Sequence, residues 1–447
     1  MPAEPQRRSD QVGGVPVVAD TGGTGGVQRH NLRVLLASQV LGGVGVASGV
    51  AVGALLAERL SGSTALAGLT QTGTVLRAAL LAVPLARLAA RSGRRHALSA
   101  GYLVGLAGAV LTVLAAVLGW FWLMLVGSVL FGGGTASNLQ ARYAATDGAT
   151  DADRGRALSV VVWATTVGAV AGPNLAGVGG RTAQLVGLPP LSGPFVYSIV
   201  SFAAGAAVVA VALRALRRPG APESASADEG RSVSTMTVLA IVARRPRARL
   251  AMAAIAGAHA VMVGVMVMTP VHLGHGGASL EVVGIVISLH ITGMYAASPA
   301  MGWLTDRVGR VRTIGIGVAV LLLALVLAAT SPGAMGAEAM KAGAAMGTAP
   351  VQVAVALTVL GLGWSCCVVA GSTLLSESVP ADVRIPAQGT SDLVMGLSAA
   401  AAGALAGPVL AATGFGWLSG LAALLLLPVL ALAVPLLRTA RSRAAVG

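Results

Sequence analysis

Charge is what this chain has least of. Only 10% of its 447 residues are Asp, Glu, Lys or Arg and 55% are hydrophobic, whereas a water-soluble protein carries about 25% charged residues. A surface that faces water all round is excluded. Aromatics make up 3%, and the apolar runs are continuous rather than alternating, which excludes the strands and aromatic girdles of a transmembrane β-barrel. Helices remain, each crossing about 30 Å of hydrocarbon in roughly 20 residues. Lysine occurs once, at Lys341, and no G-x4-G-K-[ST] loop exists, so nothing supports a P-loop ATPase. The two cysteines, Cys366 and Cys367, are adjacent in an apolar run, which is no disulfide framework.

Twelve apolar segments are present, at 33–57, 64–88, 97–118, 120–142, 157–179, 194–215, 249–271, 281–303, 313–330, 351–374, 388–411 and 414–437. The third and fourth are joined almost directly, around Gly119 and Trp120. Residues 1–30 are polar, rich in Gly and Pro and without a signal-peptide core, and are expected to be a disordered tail. A polar stretch in the middle, containing Pro219 to Gly230, divides six segments from six. The expected organisation is a six-helix bundle over 31–216, a linker over 217–248, a second bundle over 249–437 and a tail over 438–447. The fold class is an all-α membrane protein with twelve transmembrane helices.

The net charge of +14 raises nucleic acid as a partner, and the placement of the bases removes it. Twenty-six of the thirty fall at the two termini, in the central linker, and in the loops after the second, fourth, eighth and tenth segments. The opposite loops hold Arg59, Arg181 and Lys341. Basic loops stay on the cytoplasmic side, so both termini are expected in the cytoplasm of a plasma-membrane protein. The charge orients the chain in a lipid bilayer.

The loop after the eighth segment reads Gly302-Trp-Leu-Thr-Asp306-Arg307-Val-Gly309-Arg310. The loop after the second aligns with it without a gap, Leu88 with Leu304, Arg91 with Arg307, Gly93 with Gly309 and Arg94 with Arg310, but carries Ala90 in place of Asp306. The first sequence resembles the G-x-L-x-D-R-x-G-R loop signature of the major facilitator superfamily. The duplication is the parallel-half repeat known in that fold. The resemblance covers nearly the whole chain beyond residue 30. It implies two pseudo-symmetric six-helix bundles, secondary transport by alternating access, and a gating latch at Gly302, Asp306, Arg307, Gly309 and Arg310. The fifth segment, Gly168 to Gly177, is similar to the glycine–proline pattern of antiporters in the superfamily, with Ala176 in place of one glycine. Small residues there permit close helix approach.

Rare polarizable residues stand out against so much Ala, Leu, Val and Gly. Four of six histidines and five of thirteen methionines lie between His259 and Met301. Met262 and Met266 are one helical turn apart, about 6 Å along an axis, and so are His290 and Met294. Counted from the loop between them, the two pairs sit at similar depth on antiparallel segments, which are expected to be neighbours. Thioethers are soft ligands and imidazole is borderline, a set suited to copper(I) rather than to Mg²⁺ or Ca²⁺. The pairs M-x3-M and H-x3-M resemble the motifs of the CcoA-like copper importers (the CalT family). That resemblance implies that Met262, Met266, His290 and Met294 bind the ion. His259, His272 and His275 are candidate accessory ligands. The family also contains riboflavin carriers that lack these motifs.

Arg77 lies in the middle of the second segment, where a charge is costly and by default functional. Gln71, Asn138, Gln140, Arg142, Trp163, Asn174 and Asp392 are further candidates to line a cavity or gate. The leading reading is a copper-importing secondary transporter, a monomer that uses no cofactor and is not an enzyme. The alternative is a carrier of a small organic solute, by riboflavin-like uptake or drug export, in which the Met and His residues only pack.

Overall fold

The structure, a computed structural model, describes residues 22–70, 72–73, 81, 84–85, 88–89, 91–146, 154–213, 234–332, 349–380 and 383–444. No strand occurs among them. The helices are α1 (Gly22–Ser61), α2 (Arg94–Leu118), α3 (Phe121–Thr146), α4 (Arg154–Leu185), α5 (Gly193–Ala212), α6 (Thr235–Ala243), α7 (Pro246–His275), α8 (Leu280–Tyr295), α9 (Ser298–Val308), α10 (Arg310–Ala329), α11 (Ala349–Ser378), α12 (Arg384–Ala422) and α13 (Leu427–Ala444).

Nine stretches of the described residues are long and apolar enough to cross a membrane. The difference from twelve has three sources. About half of the second segment, in several pieces, lies outside the described residues, and α4 is not among the nine. The last two segments form one stretch, Pro386–Leu437. That stretch is not straight: Gly414 breaks it with φ 82°, a left-handed conformation that glycine adopts without the Cβ penalty. The break falls at the expected boundary. Gly119, at φ 68°, likewise turns α2 into α3.

The eighth segment is two helices, α8 and α9, broken at Ala296 and Ala297. Pro299 follows the break; proline lacks an amide hydrogen and clashes with the carbonyl four residues back, here that of Tyr295. Three expected boundaries shift. α1 begins at Gly22, inside the tail expected over 1–30, and His30 Nε2 anchors the extension by donating to Ala212 O at 2.9 Å. Part of the linker is α6, capped by Ser234, whose hydroxyl accepts from Thr237 N. The backbone of α13 runs to Ala444, into the expected tail.

Packing repeats between the halves. α2 lies along α3 as α10 lies along α11, and α1 along α4 as α7 lies along α12. The two duplicated loops share a backbone turn, Gly93 at φ 87°, ψ 161° and Gly309 at φ 96°, ψ 148°. Each half buries its own apolar cluster. One is built around Tyr102, Phe131 and Phe202, the other around α7, α10 and α11. Large apolar side chains such as Leu118, Trp122 and Leu185 are exposed, as a lipid-facing surface requires.

The halves meet at the end opposite the arginine-rich loops. α4 lies against α8. Asn174 Nδ2 donates to Ser288 Oγ at 2.7 Å, and Ser288 Oγ donates to Val170 O at 2.8 Å. Arg181 pairs with Glu281 at 2.5 Å. His275 Nε2 lies 2.9 Å from Glu58 Oε1, which also accepts from Thr64. Backbones touch where side chains are absent: a Cβ on Gly407 would come within 2.5 Å of Ala65 O, and one on Gly68 would collide with Gly403 O.

Candidate functional site

α7 and α8 are not the packed neighbours that their order in the chain suggests. They make slight contact with each other, and both lie broadly along α11 instead. The cause is visible on α11. A Cβ on Gly361 would stand 2.5 Å from His290 O and 2.9 Å from Met294 N, and one on Gly371 would stand 2.8 Å from Ile255 Cγ1. Glycine therefore lets α11 approach both helices, and small residues at such contacts favour helix association in lipid.

His290 is completely buried. Its Nδ1 lies 2.7 Å from Leu357 O on α11. A carbonyl only accepts, so the neutral ring carries its proton on Nδ1. Nε2 then keeps its lone pair, and it has no hydrogen-bond partner. Orientation of one ring nitrogen by a backbone carbonyl is how proteins present the other to a metal. Met294, one turn on, is buried. On α7, Met262 is buried and Met266 half-buried. Met262 and Met294 belong to the same apolar cluster, and Met266 packs on it. No hydrogen bond or ring contact joins the α7 pair to the α8 pair among the described residues.

The two helices converge at Trp364 of α11. Its Nε1 donates to His259 Nδ1 at 2.9 Å, and Tyr295 of α8 meets its ring edge-on with centroids 5.7 Å apart. His259 has thereby committed its Nδ1 lone pair. His272 stacks on Phe415, with centroids 4.2 Å apart and planes 3° from parallel. His275 is held by Glu58. Among the described residues, no three His, Cys, Asp or Glu side chains are grouped to hold a metal ion; a thioether and imidazole set lies outside that class. Cys366 points to Met301 Sδ at 2.9 Å and Cys367 toward Ile314 O at 3.9 Å, so the adjacent thiols face different helices.

The remaining candidates divide. Gln71 and Arg77 lie outside the described residues, and so does the side chain of Arg142. Asn138 is buried and accepts from Tyr102 Oη at 2.9 Å; Gln140 is buried and accepts from Arg94 at 3.1 Å. Both are held by side chains of the first half. Asn174 is in the seam between halves. Trp163 lies on the same stripe of α4, three turns away, and is 66% exposed. Asp392 is exposed near the start of α12.

In the loop between α9 and α10, Gly309 makes the turn and Arg310 is the centre of its contacts. Arg310 is 3.4 Å from Asp306, and it donates through Nη2 at 2.9 Å and Nε at 3.1 Å to Glu377 Oε1 at the end of α11. Arg307 lies over the Trp303 ring, 5.2 Å from its centroid. Gly302 has open space around its Cα. Leu357, Trp364 and Glu377, all on α11, were not legible as site residues. A backbone carbonyl carries no sequence signal, and a Glu near a basic loop is ordinary.

The chain matches the family described as Major Facilitator Superfamily over residues 34–278 and 273–446. It is 37% identical over 409 residues to the uncharacterized MFS-type transporter YdeG of Bacillus subtilis (strain 168), spanning 90% of this chain and 91% of that one. It is 28% identical over 407 residues to the riboflavin transporter RfnT of Brucella anthropi, spanning 90% and 95%. Its fold is similar to that of a bacterial homolog of the human lysosomal transporter Spinster in an inward-facing, unoccupied conformation, with TM-score 0.64, 15% identity, and 91% and 94% of the chains covered. It is similar also to the xylose transporter XylE from E. coli, with TM-score 0.62, 12% identity, and 90% and 97% covered.

Proposed function

The chain belongs to the Major Facilitator Superfamily, and from that premise we propose that it imports copper across the plasma membrane. It is a multi-pass membrane transporter that carries a small solute through a lipid bilayer. In the proposed cycle the bundles 31–216 and 249–437 rock about the seam between α4 and α8 as a monomer, with both termini cytoplasmic. The observation that carries the copper reading is the buried, unpartnered Nε2 of His290, aimed by the Leu357 carbonyl. Met294 supplies a thioether one turn on. Met262 and Met266 enter the site from α7 when the cycle brings α7 and α8 together around α11. Soft neutral ligands place no carboxylate in hydrocarbon and release the ion readily. The seam supports a state closed at the outer end, with the path leading toward the arginine-rich side.

The similarity to RfnT favours a second reading, uptake of a riboflavin-like solute. One experiment separates the two. Cells with and without the gene are assayed for copper content and for uptake of a riboflavin tracer. Gene-dependent copper accumulation without flavin uptake is expected. Gene-dependent flavin uptake at unchanged copper content would transfer the assignment to the organic solute.

A further inference from the structure

A second site lies away from the methionines. On the arginine-rich face of the second half, a cavity of about 880 Å³ opens between the α6–α7 turn, the latch loop, the end of α11 and α13. Five arginines line it, Arg244, Arg245, Arg247, Arg310 and Arg312, against one carboxylate, Glu377. Glu377 is already taken by Arg310. Arg245 is held by Ser378 O at 2.9 Å. The side chains of Arg244, Arg247 and Arg312 have no ion pair or hydrogen bond among the described residues. Three arginines without a side-chain partner thus line one concave space, where like charges repel unless an anion joins them. Guanidinium suits phosphate oxygens in shape as well as charge.

The rest of the wall is apolar. Leu374, Val308 and Val311 line it, with Leu436 and Leu437 from α13, so an occupant meets hydrocarbon beside the arginines. The adjoining α6, TMTVLAIVA, has no charge; it buries Val238 and Val242 and leaves Met236 75% exposed. A helix of that composition at the end of a membrane bundle suits the level of acyl chains better than water. Basic pockets between transmembrane helices recognise lipid headgroups.

We propose that this cavity seats an anionic phospholipid. Its phosphate lies among Arg244, Arg247 and Arg312, and its chains lie against Leu374, Leu436 and Leu437. A free phosphate shares the first contact and lacks the second. Because Arg310 shares the cavity, a bound phosphate competes with Glu377 for it, which ties the latch to the surrounding lipid.

The test uses the full-length protein purified in neutral detergent and titrated with dioleoylphosphatidylglycerol, dioleoylphosphatidylcholine or sodium phosphate, with retained ligand read by native mass spectrometry. The wild type is expected to retain phosphatidylglycerol in preference to phosphatidylcholine. The triple variant Arg244→Gln, Arg247→Gln, Arg312→Gln should bind phosphatidylglycerol about tenfold or more weakly, as loss of three bases at a lipid surface implies. The corresponding Lys triple should keep most of the binding, and an Arg91→Gln, Arg95→Gln control should change nothing. Unchanged phosphatidylglycerol binding in a monodisperse Gln triple would overturn the site. So would displacement of the lipid by millimolar inorganic phosphate, which would mark a free-anion site.

Discussion

His290 spends one nitrogen on a carbonyl and keeps the lone pair of the other bare inside the protein. A buried polar atom left without a partner costs about 1–3 kcal/mol, so its retention argues for an occupant during the cycle. His290→Gln is expected to abolish copper accumulation while expression survives. Met262→Leu, Met266→Leu and Met294→Leu delete thioethers at nearly constant volume, a change that usually costs under about 1.5 kcal/mol. Each should lower copper uptake severalfold or more, and combining them should add little to a severe single loss, since ligands of one site act as a unit. Normal copper uptake in the well-expressed triple Met-to-Leu protein would leave these residues as packing only. The motif spacing was legible in the sequence. The orientation of His290 was not, because its partner is a main-chain oxygen 67 residues away.

At the scale of elements, α11 organises the second half. It was legible as an apolar run, but nothing in its own pattern says that it separates α7 from α8; chain order suggested the reverse. Gly361 makes the intrusion possible. Gly361→Ala should push α8 away and cost about 1–3 kcal/mol through overpacking. The checks are a lower unfolding temperature in detergent and slowed transport; an unchanged melting curve would show that the contact relaxes freely. The same helix ends in Glu377, which shares Arg310 with Asp306. An exposed pair contributes only about 0–1 kcal/mol, enough to bias two conformations of similar energy. Initial transport rates should therefore fall at least as far in Glu377→Gln as in Asp306→Asn. Full activity in both variants would mean that the loop does not gate this carrier. The loop motif was readable because its turn and charges are local. Its stronger partner was not, since that pairing exists only after α10 and α11 pack.

Over the whole molecule, hydropathy and basic-residue placement conveyed the twelve segments, the two-part chain and the lipid environment, because each follows from solvent and charge alone. The seam escaped that reading, since it depends on the relation of two bundles. Its ion pair, Arg181 with Glu281, is largely solvated, with side chains 64% and 42% exposed, and contributes about 0–1 kcal/mol. Glu281→Arg should therefore open the outer end severalfold more often, and the swapped double variant Arg181→Glu, Glu281→Arg should restore closure. The measurement is the rate at which external maleimide reaches a cysteine placed at Ala296, with Cys366 and Cys367 replaced by alanine. Equal rates in all three proteins would remove the pair from the gate.

Close approach in the seam is made by missing atoms. Gly407 presses on the backbone at Ala65, and Gly68 on the carbonyl of Gly403. A methyl group at either place is a doorstop, holding the outer end ajar whatever the pH or salt. Every glycine codon is one base from an alanine codon, so the opposite resting posture lies a single mutation away. A screen of random mutants for a protein stuck open to the outside should therefore return these two glycines ahead of any charged residue.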